Sequence, residues 1–219
     1  MKLRLVLALI CGVVAASSAH AAVTVTMKGE RIACVPKPGH DRTKDDAVMS
    51  PDGHTVAYMR YAKSDALPPD EEAGTLWIGD CRTGATRLLL PARFWGKTNG
   101  EQWITLSWPV FSLDGRQIYV DAGYGGDSLL VQRVDIATGR HAYVAAVELD
   151  GIIRNGPYRG DLFGTQHTSL KDKTGAEYYG YPYYVFSPGG TAIMRVPNSE
   201  NWNERMHDAW LRQKGWRIQ

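Results

Sequence analysis

The chain has 219 residues, 44% hydrophobic and 22% charged, with 25 Lys and Arg against 23 Asp and Glu. That length supports a domain with a real core. The near-balance of charge, with no Lys/Arg cluster, argues against nucleic acid or acidic lipid as a partner.

Lys2 and Arg4 precede an apolar run over residues 5–16, and "SSAHA" follows with Ala19 and Ala21 in small-x-small spacing. This pattern predicts a signal peptide over residues 1–21, cleaved after Ala21, and export to the periplasm or beyond the cell. Cys11 follows bulky Ile10 and lies inside the apolar run, which argues against lipidation. Cleavage leaves 198 residues with 23 charges of each sign, read as one domain over 22–219 with no later membrane-spanning segment. Cys34 and Cys81 then remain. In an oxidising compartment they either form one disulfide, contributing about 3–4 kcal/mol through loop entropy, or lie apart as two buried thiols.

"AVMSPDGHTVAYMR" (47–60) is a turn between two apolar runs, and related turns recur at "VFSLDGRQIYVDA" (110–122) and "VFSPGGTAIMRVP" (185–197). Serine opens the turn, proline presets φ at the second position, aspartate tolerates the third and glycine accepts positive φ at the fourth. The third copy replaces Asp-Gly by Gly189-Gly190. Two of the copies are followed by a second hairpin signal: "TLWIGDCRTGATRLLL" (75–90) and "LVQRVDIATGRHAYV" (130–144), with Asp80 to Gly84 and Asp135 to Gly139 at equal spacing. Each unit thus reads as a four-stranded antiparallel meander.

Four strands with "SPDG" before the second and "D-x-x-T-G" between the third and fourth resemble the TolB-type, WD-like β-propeller repeat. The resemblance spans about residues 46–144 in two copies, with a partial third at 185–196. It implies an all-β fold, an exported module that binds a protein or envelope component, and no catalytic role for the turn aspartates. The serines are 62 and 75 residues apart, against about 40–45 for a propeller blade. The expectation is a short or incomplete propeller whose open edges need cover, either by its own elements or by a second copy.

Inserts fill the extra length. "SDALPPDEEAG" (64–74) reads as a solvated acidic tip or a calcium loop, and "PARFWGKTNGEQW" (91–103) brings Phe94, Trp95 and Trp103 either under a loop or to a surface site. Residues 150–170 set Arg154, Tyr158, Arg159 and His167 among glycines, as binding loops often do. "YYGYPYYVF" (178–186) adds Tyr178, Tyr179, Tyr181, Tyr183 and Tyr184, which either stack on a sugar or protein partner or belong to an inter-blade strand. Trp202, Met206 and Trp210 recur at i, i+4 and i+8, predicting an amphipathic helix over 199–213, capped by Asn198 or Ser199 and stopped by Gly215, that covers a blade face or edge.

No G-x-S-x-G, H-E-x-x-H, C-x-x-C or phosphate loop is present, and the histidines show no ligand spacing, so no catalytic residue, metal or cofactor is expected. Two readings remain. One is a non-enzymatic binding module; the other is a carbohydrate-active or glycan-binding protein using Arg154, Tyr158, Arg159, His167, Tyr178, Tyr179, Tyr181 and Tyr183. The second, in its enzymatic form, requires Arg159 and His167 to meet the tyrosines in one pocket.

Overall fold

A computed structural model describes residues 24–27, 30–33, 47–63, 72–92, 94–95, 102–123, 129–171 and 173–219. The turn serines and glycines do what their chemistry requires. Ser50 Oγ donates to Asp52 Oδ1 and Ser112 Oγ to Asp114 Oδ1, both at 2.6 Å, and each hydroxyl accepts the backbone N–H five residues later. Gly53 and Gly115 adopt φ of 72° and 70°, which would cost an L side chain about 1–2 kcal/mol.

These turns organise an all-β, propeller-like chain. After the antiparallel pair β1 (Thr24–Met27) and β2 (Glu30–Ala33), blade 1 runs in order through β3 (Ala47–Met49), β4 (Thr55–Lys63), β5 (Glu72–Asp80) and β6 (Thr86–Leu90). The short pair β7 (Phe94–Trp95) and β8 (Gln102–Trp103) leads to blade 2: β9 (Thr105–Phe111), β10 (Gln117–Gly123), β11 (Leu129–Asp135) and β12 (His141–Ala145). Blade 3 is formed by β13 (Glu148–Ile152), β14 (Leu162–Thr165), β17 (Tyr183–Phe186) and β18 (Ala192–Arg195). The hairpin of β15 (Thr168–Lys171) and β16 (Glu177–Gly180) is inserted between its second and third strands. Helix α1 (Glu204–Lys214) follows, and among the described residues no helix is long and apolar enough to cross a membrane.

Strand alternation distributes the core. Ala57, Met59, Leu76 and Ile78 of blade 1 meet Leu106, Phe111, Ile118, Val120 and Ala122 of blade 2. The opposite residues of blade 2, Val110, Tyr119 and Val131, meet Leu149, Ile152, Leu162 and Phe186 of blade 3. Each fully buried aliphatic or phenyl side chain contributes about 1.5–3 kcal/mol, so the blades hold together mainly through these two layers. Trp103 is fully buried in the first layer and donates Nε1–H to Pro91 O at 3.1 Å, so it packs and lines no surface site.

A polar tie joins blades 2 and 3. β13 bulges at Asp150, so that Leu149 pairs with Gly164 and Gly151 with Phe163. The Leu149 N–H is donated across to the buried Asp121 carboxylate, 3.3 Å from both oxygens.

Glycine contacts show which connections correspond. A Cβ on Gly115 would lie 3.4 Å from Pro51 Cδ, and one on Gly160 would lie 3.9 Å from Leu113 Cδ1. The first-to-second-strand connections of the three blades therefore stand in a row, and in blade 3 the loop 154–161 holds the place of the Ser-x-Asp-Gly turn. A Cβ on Gly139 would touch Leu89 of β6, whereas one on Gly190 would fall 1.9 Å from Val144 O of β12. The third copy of the turn motif thus joins the third and fourth strands, where the first two blades use their Thr-Gly hairpin. It is not an in-phase third repeat: the same short turn is reused in a different slot.

The outer face of blade 3 is covered by α1. Phe163, Val185, Val196 and Ile153 are buried under Tyr183, Trp202, Trp210, Leu211 and Trp216. The helix begins at Glu204, five residues later than the sequence predicts. Asn203 caps it by accepting the Met206 N–H at 3.0 Å, while Gly215, at φ 66°, ends it. Ser199 is already committed elsewhere: it is fully buried, donates to Val196 O at 2.8 Å and accepts the Tyr183 N–H at 2.9 Å. Asn198 sits in the left-handed region at φ 58°, as a turn residue. The inward stripe is His207, Trp210 and Leu211, while Met206 is exposed and Trp202 precedes the helix.

Candidate functional site

Blade 3 has two ends, and the predicted binding residues divide between them. The loop 154–161 leaves β13 and enters β14 at one end; the hairpin β15–β16 leaves β14 and enters β17 at the other. β14 at about 3.3 Å per residue puts roughly 15 Å between the two.

At the first end, Arg154 and Tyr158 face the C-terminal segment. Arg154 N–H donates to Arg217 O at 2.8 Å, and its guanidinium donates to Gln219 Oε1. Partial desolvation and the nearby Arg217 charge lower the Arg154 pKa from its ordinary value. Tyr158 packs edge-on to Trp216 at 5.2 Å, its hydroxyl 3.8 Å from Met194 Sδ. Arg159 is exposed, its backbone N–H donated to Gly156 O within the loop. Burial also raises the pKa of Asp161 above the usual carboxylate value.

At the second end, β15 and β16 pair in the register Thr168–Gly180, Ser169–Tyr179, Leu170–Tyr178 and Lys171–Glu177. Paired residues share a face and neighbours alternate, so His167, Ser169, Lys171, Glu177, Tyr179 and Tyr181 fall on one side. His167 stacks on Tyr181, with centroids 5.0 Å apart and planes 12° apart, and lies 4.8 Å from Tyr179. Tyr179 is 72% exposed and Tyr181 44%. An exposed ion pair, Lys171 to Glu177 at 3.7 Å, flanks the rings toward the hairpin tip. Tyr178 belongs to the opposite face with Leu170, over Gly180.

The remaining tyrosines are structural. Tyr183 stacks on Phe163 at 5.2 Å and on His207 at 4.9 Å beneath α1, and Tyr184 leans on Phe186 at 5.6 Å. The nine-residue tyrosine run therefore serves three surroundings: an exposed platform, the back of a hairpin and the packing of blade 3. A residue set that the sequence does not announce lies under the helix. His207 Nε2 stands 3.5 Å from Asp150 Oδ2, at the β13 bulge, and its Nδ1 lies 3.3 Å from Asp208 Oδ1. Among the described residues no cluster of His, Cys, Asp or Glu has the geometry of a metal site. The acidic residues 64–71 lie outside the described residues. So does Cys34; Cys81 is buried, disulfide-bonded, and sits 3.9 Å from Met49 Sδ.

Comparison with known proteins gives loose likenesses only. No protein-family model matches the chain, and no curated protein matches its sequence. Among solved structures it is similar to Porphyromonas gingivalis dipeptidyl peptidase 4, with a TM-score of 0.48 and 10% identity, over 78% of this chain and 28% of that one. It is similar to the β-propeller domain of the Trilobed protease from Pyrococcus furiosus, described as having an open velcro topology, with a TM-score of 0.45 and 12% identity over 75% and 45%. TolB from Acinetobacter baumannii matches with a TM-score of 0.32 and 14% identity over 79% and 47%. The chain spans less than half the length of each. Such likenesses say nothing of activity, and the blade architecture stands on strand order and register.

Proposed function

We propose that this chain is an exported, non-enzymatic propeller-like module that binds a protein or other envelope component through the hairpin β15–β16. One observation carries the reading: the hairpin, inserted between the second and third strands of blade 3, holds Tyr179 and Tyr181 open to solvent around His167. Exposed tyrosines offer large contact area at small entropic cost, which is why they recur at binding surfaces. Export rests on the leader pattern of residues 1–21 and the TolB-type kinship on the two turn-and-hairpin repeats; both are part of this proposal, as is a Cys34–Cys81 disulfide.

The lyase-like alternative needs Arg159 and His167 in one pocket with the tyrosines, and β14 holds their segments at opposite ends of the blade. A photo-crosslinking residue in place of Tyr179, in cells that make the full chain, tests the proposal. Specific crosslinked products in the exported fraction, absent when the crosslinker replaces Tyr143 of blade 2, support it. An exported protein that crosslinks equally from both positions, or from neither, rejects the hairpin as the binding surface. Retention of the uncleaved chain in the cytoplasm rejects export.

A further inference from the structure

The face of the hairpin that carries the platform has an unusual composition. Its residues are His167, Ser169, Lys171, Glu177, Tyr179 and Tyr181, each of which is either a flat ring or a hydrogen-bonding group. The aliphatic residue of the two strands, Leu170, is on the other side, where it lies against Gly180 and shares a register position with Tyr178. A protein-binding patch concentrates its energy in a desolvated apolar centre, with polar groups at the rim. Here polar groups are interleaved with the rings along both strands, so the rings do not merge into one contiguous apolar centre.

That composition suits a different ligand chemistry. A pyranose ring has one face of C–H bonds and a rim of hydroxyls. The π face of a tyrosine carries the negative part of its quadrupole, which attracts polarised C–H groups laid over it. Hydroxyls at the sugar rim need donors and acceptors beside the ring, and Ser169, Lys171 and Glu177 supply both. Ser169 is directly opposite Tyr179 in the register, and the Lys171–Glu177 pair is the next pair on the same face. A two-stranded sheet presents these groups as a shallow, open surface, which fits an extended ribbon of sugar units better than a small molecule that must be enclosed.

We infer that this face binds a neutral, extended chain of pyranose units, with Tyr179 and Tyr181 as stacking platforms and Ser169, Lys171 and Glu177 as hydroxyl partners. The inference rests on the proposed role of the hairpin and names its ligand class. An open, solvent-exposed site without a closing wall binds weakly, with Kd on the order of 1 mM.

The test uses ligand-observed saturation-transfer NMR on the exported protein with cellohexaose and with chitohexaose at millimolar concentration. Transfer to sugar C–H protons from at least one of the two is expected. Y179A should reduce it at least about five-fold, and Y181A by a smaller factor; Y179W and the opposite-face variant Y178A should retain it. Circular dichroism of each variant confirms that the fold is kept. No transfer from either oligosaccharide, or transfer that Y179A leaves unchanged, overturns the inference. Crosslinking from position 179 to a protein, with no sugar transfer, removes the saccharide while leaving the hairpin as a binding surface. Loss of both removes the two readings together.

Discussion

Blades 2 and 3 have the same strand order and differ in almost everything that joins the strands. In blade 2 the first connection is a four-residue turn and the third a five-residue Asp-to-Gly hairpin. In blade 3 the first is the loop 154–161, the second carries a hairpin of its own, and the third borrows the turn that blade 2 uses first. The sheet tolerates all of this because its stability comes from the alternating side chains between blades, whereas connections need only bring a strand back in register. Identity of fold is held in the strands, and individuality in what lies between them.

The largest test of that comparison is Phe163→Ala. Phe163 is fully buried in the outer face of blade 3, stacked against Tyr183, His207 and Trp210. Chemical denaturation should show a loss of about 3–5 kcal/mol, with α1 released at lower denaturant than the blade 1–2 core. Simultaneous loss of both would mean that blade 3 is not energetically separate.

Next in size is a glycine pair. Gly190→Ala, whose Cβ would meet Val144 O at 1.9 Å with φ at 90°, should cost about 3 kcal/mol or more. Gly53→Ala has nothing within 4 Å and only its φ of 72° to contend with, so about 1 kcal/mol is expected. Equal losses in thermal melts would remove the assignment of the third turn to a packed slot.

Acid titration separates the same blades more gently. Hydrogen bonds from the Ser50 hydroxyl and the His54 N–H hold the Asp52 pKa below 3.8, and those from Ser112 and Arg116 do the same for Asp114. Their stabilisation is fully present above the unfolded value of 3.8 and is lost as pH falls through the lower folded value. Asp161 runs the other way: burial raises its folded pKa, so its contribution is present below 3.8 and is lost as pH rises through the raised value. Asp52→Asn with Asp114→Asn should flatten the acid limb of the stability curve, and Asp161→Asn should remove the opposing slope. Unchanged slopes in either variant would contradict the hydrogen-bond and burial causes named here. The smallest effect is expected at Tyr179→Ala, within about 0.5 kcal/mol in the same melts, because the ring is 72% exposed and touches only the likewise exposed His167 ring among the described aromatic contacts.

Blades 1 and 2 were legible because turn chemistry is local: serine, aspartate and glycine within four residues specify a hairpin whatever surrounds them. The same locality misled at residues 187–190, since a turn signal carries no information about which strands it joins. The existence of the helix was legible, but of the predicted stripe only Trp210 faces inward from it, and its start was hidden because Ser199 is held in a buried turn by the Tyr183 N–H and Val196 O. The candidate site was half legible. A run of tyrosines announces aromatic surface, but only the register of β15 with β16 decides that Tyr179 and Tyr181 face solvent beside His167 while Tyr183 goes under the helix.

The closing segment of the chain has a consequence for the order of assembly. Ile152 and Gln219 exchange backbone hydrogen bonds, and Arg154 N–H bonds Arg217 O, across more than sixty residues of sequence. Gly151 has no side chain to bar the approach: a Cβ there would lie 2.2 Å from Gln219 O. Hairpins within blades 1 and 2 close short loops, whereas this pairing must wait until the hairpin, the last strand and the helix have all taken their places. Pulsed hydrogen exchange should find Ile152 and Arg154 among the last amides to gain protection, after Val120 and Val131 at the centre of blade 2. The C-terminal end of the first strand of blade 3 would then be among the last parts of the chain to be secured.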